Sequence, residues 1–105
     1  MSLEDRKAAF ENKFAHDAEL RFKAEARRNR LLGEWVAEKL GKSGDEIAAY
    51  AREVVASDFE EAGDEDVFRK VRGDFDEANV PISDTDIRAK MVELMELAIQ
   101  QVEKD

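Results

Sequence analysis

The chain has 105 residues, 43% hydrophobic and 41% charged, with a net charge of −9, one proline, five glycines and no cysteine. That length supports one domain around a single core, and so little glycine and proline argues against a β-rich fold with many turns. The absence of cysteine excludes a disulfide framework and a thiolate metal site, in keeping with a reducing compartment.

Residues 10–35, FENKFAHDAELRFKAEARRNRLLGEW, read as helix throughout but change character at Leu20. From there Leu20, Ala24, Leu31, Leu32, Trp35, Val36 and Leu40 cover the broad arc of a helix docked on a core. Upstream, Leu3, Phe10, Phe14 and small alanines share only a thin seam, interrupted by Lys7 and Glu11. One helix over residues 3–40 would be about 57 Å long, whereas the later amphipathic segments, about 15–20 residues each, would reach only about 22–30 Å. The leading half must overhang, and with little to bury it cannot offset its own ordering entropy. The expectation is a flexible or partly helical arm over residues 1–18, able to fold onto a partner, and a helical bundle over residues 19–105.

Charge follows the same division. Residues 1–30 hold eight basic and six acidic side chains, a net of +2, and the other 75 hold nine basic and 20 acidic, a net of −11. An acidic body argues against nucleic acid as the main partner, because phosphate binding needs a basic surface.

The first core helix is expected over residues 20–40, stopped at Gly41, a residue type suited to the left-handed C-terminal turn. Ser43 opens S-G-D-E, where its hydroxyl and Glu46 form a reciprocal cap. The second helix then shows Ile47, Tyr50, Ala51, Val54 and Val55 on one face. The acidic run SDFEEAGDED breaks it near Gly63, with Asp64 as the next cap. Val67, Phe68, Val71, Phe75 and Ala78 supply the third apolar face, which Asn79, Val80 and Pro81 end. Ser83 caps the last helix, with Ile82 and Ile87 as a hydrophobic staple. Its inward face is Ile87, Met91, Leu94, Met95, Ala98 and Val102. Four such segments with short connections predict an all-α fold, a four-helix bundle.

Motifs that carry chemistry are weak. Gly41, Lys42 and Ser43 resemble the end of a phosphate loop, but Val36 stands where the first glycine belongs and a helix leads in where a strand should. The acids from Asp58 begin like a calcium loop, yet Ala62 and Arg69 occupy the fifth and twelfth ligand positions. His16 is the one histidine, which leaves no cluster of strong transition-metal ligands and no anchored base for a nucleophile. No enzyme activity and no cofactor are expected. No apolar run approaches the roughly 20 residues of a membrane span. The start, MSLEDRKAAF, lacks the apolar stretch of a secretory signal, so a soluble cytoplasmic protein is expected.

Trp35 reads as core, given Leu31 and Leu32 at helical distance. Arg27, Arg28 and Arg30 form the densest basic group, either a helix face neutralised by the acidic bundle or a contact patch for an acidic surface or phosphates. Phe10 and Phe14, four residues apart in a segment without a core of its own, read as anchors for a groove.

The runs FENKFAHDAELRFKAEARRNRLLGEWVAEKLGKSG and SDFEEAGDEDVFRKVR closely resemble the zeta subunit family, inhibitor proteins of the alphaproteobacterial F-type ATP synthase. The likeness extends to about Arg72, including the place of the acidic turn, and residues 73–105 add only a plausible last helix. It implies a four-helix protein whose N-terminal segment enters a catalytic interface of the synthase head, between the alpha and beta subunits and against the central gamma stalk. There it would block rotation in the hydrolytic direction. By position the inhibitory segment falls on residues 2–17, with helix continuing through Arg30. The candidate partner-contacting residues are Arg6, Lys7, Phe10, Lys13, Phe14, His16, Asp17, Arg21, Arg27 and Arg28. A competing reading is a bundle that binds an anionic small molecule such as a nucleotide, near Arg27, Arg28 and Arg30 or near Arg69, Lys70 and Arg72. A third is a general adaptor bundle.

Overall fold

The computed structural model describes residues 18–59 and 64–104. Four helices account for most of them. Helix α1 spans Ala18–Lys39, α2 spans Asp45–Ala56 with a 3-10 turn Ser57–Phe59 behind it, α3 spans Glu65–Glu77 and α4 spans Asp84–Lys104. No strand occurs among the described residues, and the fold is an all-α four-helix bundle. The helices are unequal: α1 and α4 have 22 and 21 residues, α2 and α3 only 12 and 13, shorter than the periodicity predicts.

Helix α1 packs along α2 and along α4, while α3 touches both α2 and α4. Helices α1 and α2 form an antiparallel hairpin, with Arg30 beside Val55 and Leu40 beside Tyr50. They come close at Gly33, where an added Cβ would stand 2.6 Å from the Ala51 Cα. Only a residue without a side chain lets the two backbones come this near.

The main core joins Leu32, Val36 and Ala37 of α1, Tyr50 and Val54 of α2, Val67, Val71 and Phe75 of α3, and Ile87, Met91 and Leu94 of α4. Trp35 packs against it, its ring meeting the Phe75 ring edge-on at 5.9 Å between centroids. A smaller cluster of Ala24 and Val102, flanked by Leu20, Met95 and Ile99, closes the end of the bundle where α1 begins. Within the apolar faces read from the sequence, Leu20, Leu31, Ile47, Val55 and Phe68 are only half-buried, and Ala78 is exposed.

Helix ends account for the short loops. At Gly41 (φ 83°) the Lys42 amide donates to the Ala37 carbonyl and the Gly41 amide to that of Glu38, a Schellman closure of α1. The same closure ends α3, with Asn79 at φ 58° and the Val80 amide donating to the Phe75 carbonyl. The stop is therefore Asn79 in the left-handed region, and Pro81 lies beyond it.

At the helix starts, Ser83 caps α4 as expected, its Oγ accepting from the Asp86 amide at 3.0 Å. The Ser43 hydroxyl cap is not formed. Gly44 is the N-cap of α2, and Ser43 contributes only its carbonyl, which accepts from the Glu46 amide. Asp64 is the N-cap of α3 by position but makes no side-chain cap bond, because its carboxylate is engaged elsewhere. The predicted break at Gly63 and residues 1–17 of the arm lie outside the described residues, and Ala18, the last residue given to the arm, is the first of α1. No helix among the described residues is long and apolar enough to cross a membrane.

Candidate functional site

Of the candidate contact residues, Arg6, Lys7, Phe10, Lys13, Phe14, His16 and Asp17 lie outside the described residues. Arg21, Arg27 and Arg28 are on α1, and the helix separates them. Arg21 is exposed and reaches Glu25 one turn on, at 3.9 Å. Arg27 is half-buried and Arg30 exposed. Arg28 is turned inward, only 2% exposed. A helix turns about 100° per residue, so three neighbouring arginines cannot share one face.

The Arg28 guanidinium is held by a polar web. Its Nε donates to Asn29 Oδ1 at 2.7 Å and its Nη2 to Asp64 Oδ1 at 2.9 Å, while Asn29 Nδ2 donates to Asp58 Oδ2 at 3.0 Å. Asp58 and Asp64 bracket the acidic connection between α2 and α3, so two adjacent α1 residues tie down both of its ends. Arg28 is thus neutralised at home, as the first reading of the arginine group has it.

The second basic group is occupied too. Arg69 pairs with Asp66 at 3.1 Å, and Lys70 with Asp74 at 3.1 Å. Arg72 pairs with Asp84 at 2.9 Å and Asp76 at 2.8 Å, and those two carboxylates hold its guanidinium protonated beyond its ordinary range. Arg72 ties α3 to Asp84 at the start of α4 and Lys70 reaches Glu53 of α2 at 4.0 Å, while Arg69 pairs within α3; with all three occupied, the case for an anion site there weakens.

Beside them Tyr50 is buried, and its hydroxyl donates to Asp74 Oδ2 at 2.6 Å. Burial first, then the bond to Asp74, push its phenol well above the usual range. Lys70 and Lys42 lie over its ring at 5.2 and 5.8 Å.

The start of α1 is different. Ala18, Glu19, Arg21, Phe22 and Lys23 are exposed, Leu20 is half-buried, and the first buried apolar residue is Ala24. Phe22 is 62% exposed, on a furrow lined by Lys23, Ala26, Arg27 and Arg30 of α1, Val55 of α2 and Val102 of α4. The core-face reading passes over Phe22, although a signal is present: it follows Phe10 and Phe14 at multiples of four residues.

A family model described as ATPase inhibitor subunit zeta matches residues 1–101, so the likeness extends past Arg72 through most of α4. A chain solved by solution NMR is similar at 58% identity with a TM-score of 0.73, over 81% of this chain and 96% of that one. No curated protein matches.

Proposed function

The chain belongs to the ATPase inhibitor subunit zeta family, and from that premise we propose that its working part is the arm over residues 1–18. The arm folds as a helix wedged into a catalytic alpha/beta interface of the F-type ATP synthase, against the central gamma stalk, and blocks rotation in the hydrolytic direction. Membership itself supports an ATPase-inhibitory role and association with the synthase.

The observation that carries the arm reading is the thinning of α1 toward its start. Over Ala18–Lys39 the buried apolar positions begin only at Ala24, and the turn before it is exposed apart from half-buried Leu20. At its start the helix leaves Phe22 exposed and Leu20 half-covered, and the residues preceding it carry Phe10 and Phe14.

Energetics favour a crevice over a flat surface. Ordering about 18 residues at roughly 1–2 kcal/mol each costs on the order of 20 kcal/mol or more. Burying Phe10 and Phe14 returns about 1.5–3 kcal/mol apiece. The balance has to come from the helix's own hydrogen bonds and from contact on most of its sides, with Arg6, Lys7 and Lys13 set against acidic groups of the host. An interface between subunits encloses a helix in that way. A wedge raises a rotation barrier and needs no bond-making group, so no catalytic residue is assigned. The place of action is the cytoplasmic face of the membrane that holds the synthase.

The test is ATP hydrolysis by the isolated catalytic head, with the full chain, with residues 1–17 deleted, and with the arm as a peptide. The deletion is expected to abolish inhibition while the bundle still folds. Inhibition by the truncated protein at the full chain's concentration would refute the reading.

A further inference from the structure

The furrow at the start of α1 does not end with Phe22. A second groove, between α1 and α2, shares Arg30 and Val55 with it and continues past Glu34, Arg52 and the small residues Ala48, Ala51 and Ala56. The two make one channel along the α1/α2 seam. From Phe22 to Glu34 it runs about 18 Å, room for about three turns of another helix. Its floor is shallow because Gly33 lets α2 come close to α1 and the seam residues of α2 are mostly alanines.

Its charge is opposite to that of its surroundings. The chain after residue 30 carries −11, yet the channel is bordered by Lys23, Arg27, Arg30 and Arg52 against the single lining acid Glu34, with Lys23 reaching back to Glu19 at 3.5 Å. Arg30 and Arg52 are exposed and make no ion pair among the described residues, whereas Arg28, Arg69, Lys70, Arg72 and Arg88 all do. An exposed aromatic beside guanidiniums with no ion pair of their own among the described residues suits a partner with an apolar ridge and acidic flanks.

We infer that this Phe22–Arg30–Arg52 channel is a second docking surface, which takes an acidic amphipathic helix on the same synthase head that the arm enters. The inference rests on the arm reading for the identity of the host and extends it from the arm to the bundle. Phe10, Phe14, Ala18, Phe22, Ala26 and Arg30 recur every fourth residue, the spacing of one ridge in helix–helix packing. When the arm orders as a continuation of α1, one ridge carries contact from the crevice onto the bundle. The arm blocks rotation, and the channel fixes the angle at which the bundle sits outside.

The experiment is direct binding of the full chain to the purified catalytic head by calorimetry, in three sets of variants. Phe22→Ala, Arg30→Glu and Arg52→Glu, each as a single variant, probe the channel. Phe10→Ala with Phe14→Ala probes the arm, and Lys39→Glu repeats the charge change at the exposed far end of α1. The channel variants are expected to weaken binding at least fivefold with unchanged melting temperature, and Lys39→Glu less than twofold. Wild-type affinity in the channel variants overturns the channel, and if the arm variants still lose affinity, the arm reading stands without it. Loss in the channel variants with wild-type affinity in the arm variants supports the channel and overturns the arm. Equal loss in Lys39→Glu and in the arginine variants, with none in Phe22→Ala, reduces the effect to net charge and overturns the channel.

Discussion

The Arg28 guanidinium is sealed inside the bundle while the Asp64 carboxylate that binds it at 2.9 Å stays half in water, with side-chain exposures of 2% and 51%. The two partners therefore differ in what their loss leaves behind. Asp64→Ala strands a buried cation, and breaking such a pair costs about 3 kcal/mol, the low end of the range because Asp64 is half solvated. Arg28→Met fills comparable volume with an apolar chain and lets Asp64 turn to water, but it leaves the buried Asn29 Oδ1 without its donor, for about 1–2 kcal/mol. Urea unfolding of both variants checks the order. A larger loss in Arg28→Met would show that the pair stabilises chiefly through the arginine.

Gly33 predicts a second cost. Alanine there gains about 1 kcal/mol in helix propensity but drives a Cβ to 2.6 Å from the Ala51 backbone. Overpacking of that kind costs about 1–3 kcal/mol. Gly33→Ala is expected to lower stability by about 1 kcal/mol net, seen as a melting temperature lower by roughly 4–8 °C for a domain of this size. A rise in melting temperature would mean that α1 and α2 separate without strain.

Much of this architecture is legible in the sequence. Val67, Val71 and Phe75, or Ile87, Met91, Leu94, Ala98 and Val102, recur at helical spacing because each helix buries one stripe, and all of them are buried. Gly41 and Ser83 act at helix ends through local chemistry, which spacing along the chain reveals. What the sequence hides depends on distant partners. Helical spacing puts Arg28 between Ala24 and Leu32 on the inward arc, but nothing within α1 shows what neutralises it there, since Asp64 lies 36 residues away. Asp64 in turn fails as a side-chain cap because Arg28 takes its carboxylate. Gly33 reads as a weak point in a helix until Ala51 of α2 is seen against it. Of the candidate contact residues, only Arg21, Arg27 and Arg28 fall on described structure, and the exposed Phe22 beside them escapes a reading that looks for core faces.

Tyr50 sets an alkaline limit. It is the one tyrosine, and its phenol is raised by burial and by the bond to Asp74. A folded-state pKa above the unfolded value of about 10 gives stability that is fully present below pH 10 and is lost as pH rises beyond it. Neutral pH is therefore flat with respect to this group. Tyrosinate absorbance should stay absent above pH 10 until the protein unfolds, then appear together with the loss of helix. Tyr50→Phe should cost about 1 kcal/mol at neutral pH, the net worth of one hydrogen bond, and should remove the part of the alkaline loss due to ionisation. Tyrosinate appearing near pH 10 with helix intact would show the phenol to be solvated.

Phenylalanine at two places in the chain separates holding the fold from meeting the host. Phe75 is fully buried and edge-on to Trp35, so Phe75→Ala should cost about 3–5 kcal/mol of stability. Where that protein remains folded, its arm is intact and its half-inhibiting concentration should hold. Phe10→Ala and Phe14→Ala should do the reverse, with a melting temperature within about 1 °C of the parent, since on the arm reading neither ring belongs to the core. Each ring buried in the host is worth about 1.5–3 kcal/mol, which at 1.4 kcal/mol per decade raises the half-inhibiting concentration roughly tenfold to a hundredfold. Melting temperature and inhibition of the isolated head, measured on the same preparations, give both readouts. A Phe10→Ala or Phe14→Ala protein that melts well below the parent and still inhibits at the parent's concentration would put those rings in the home core and remove the plug from residues 1–18.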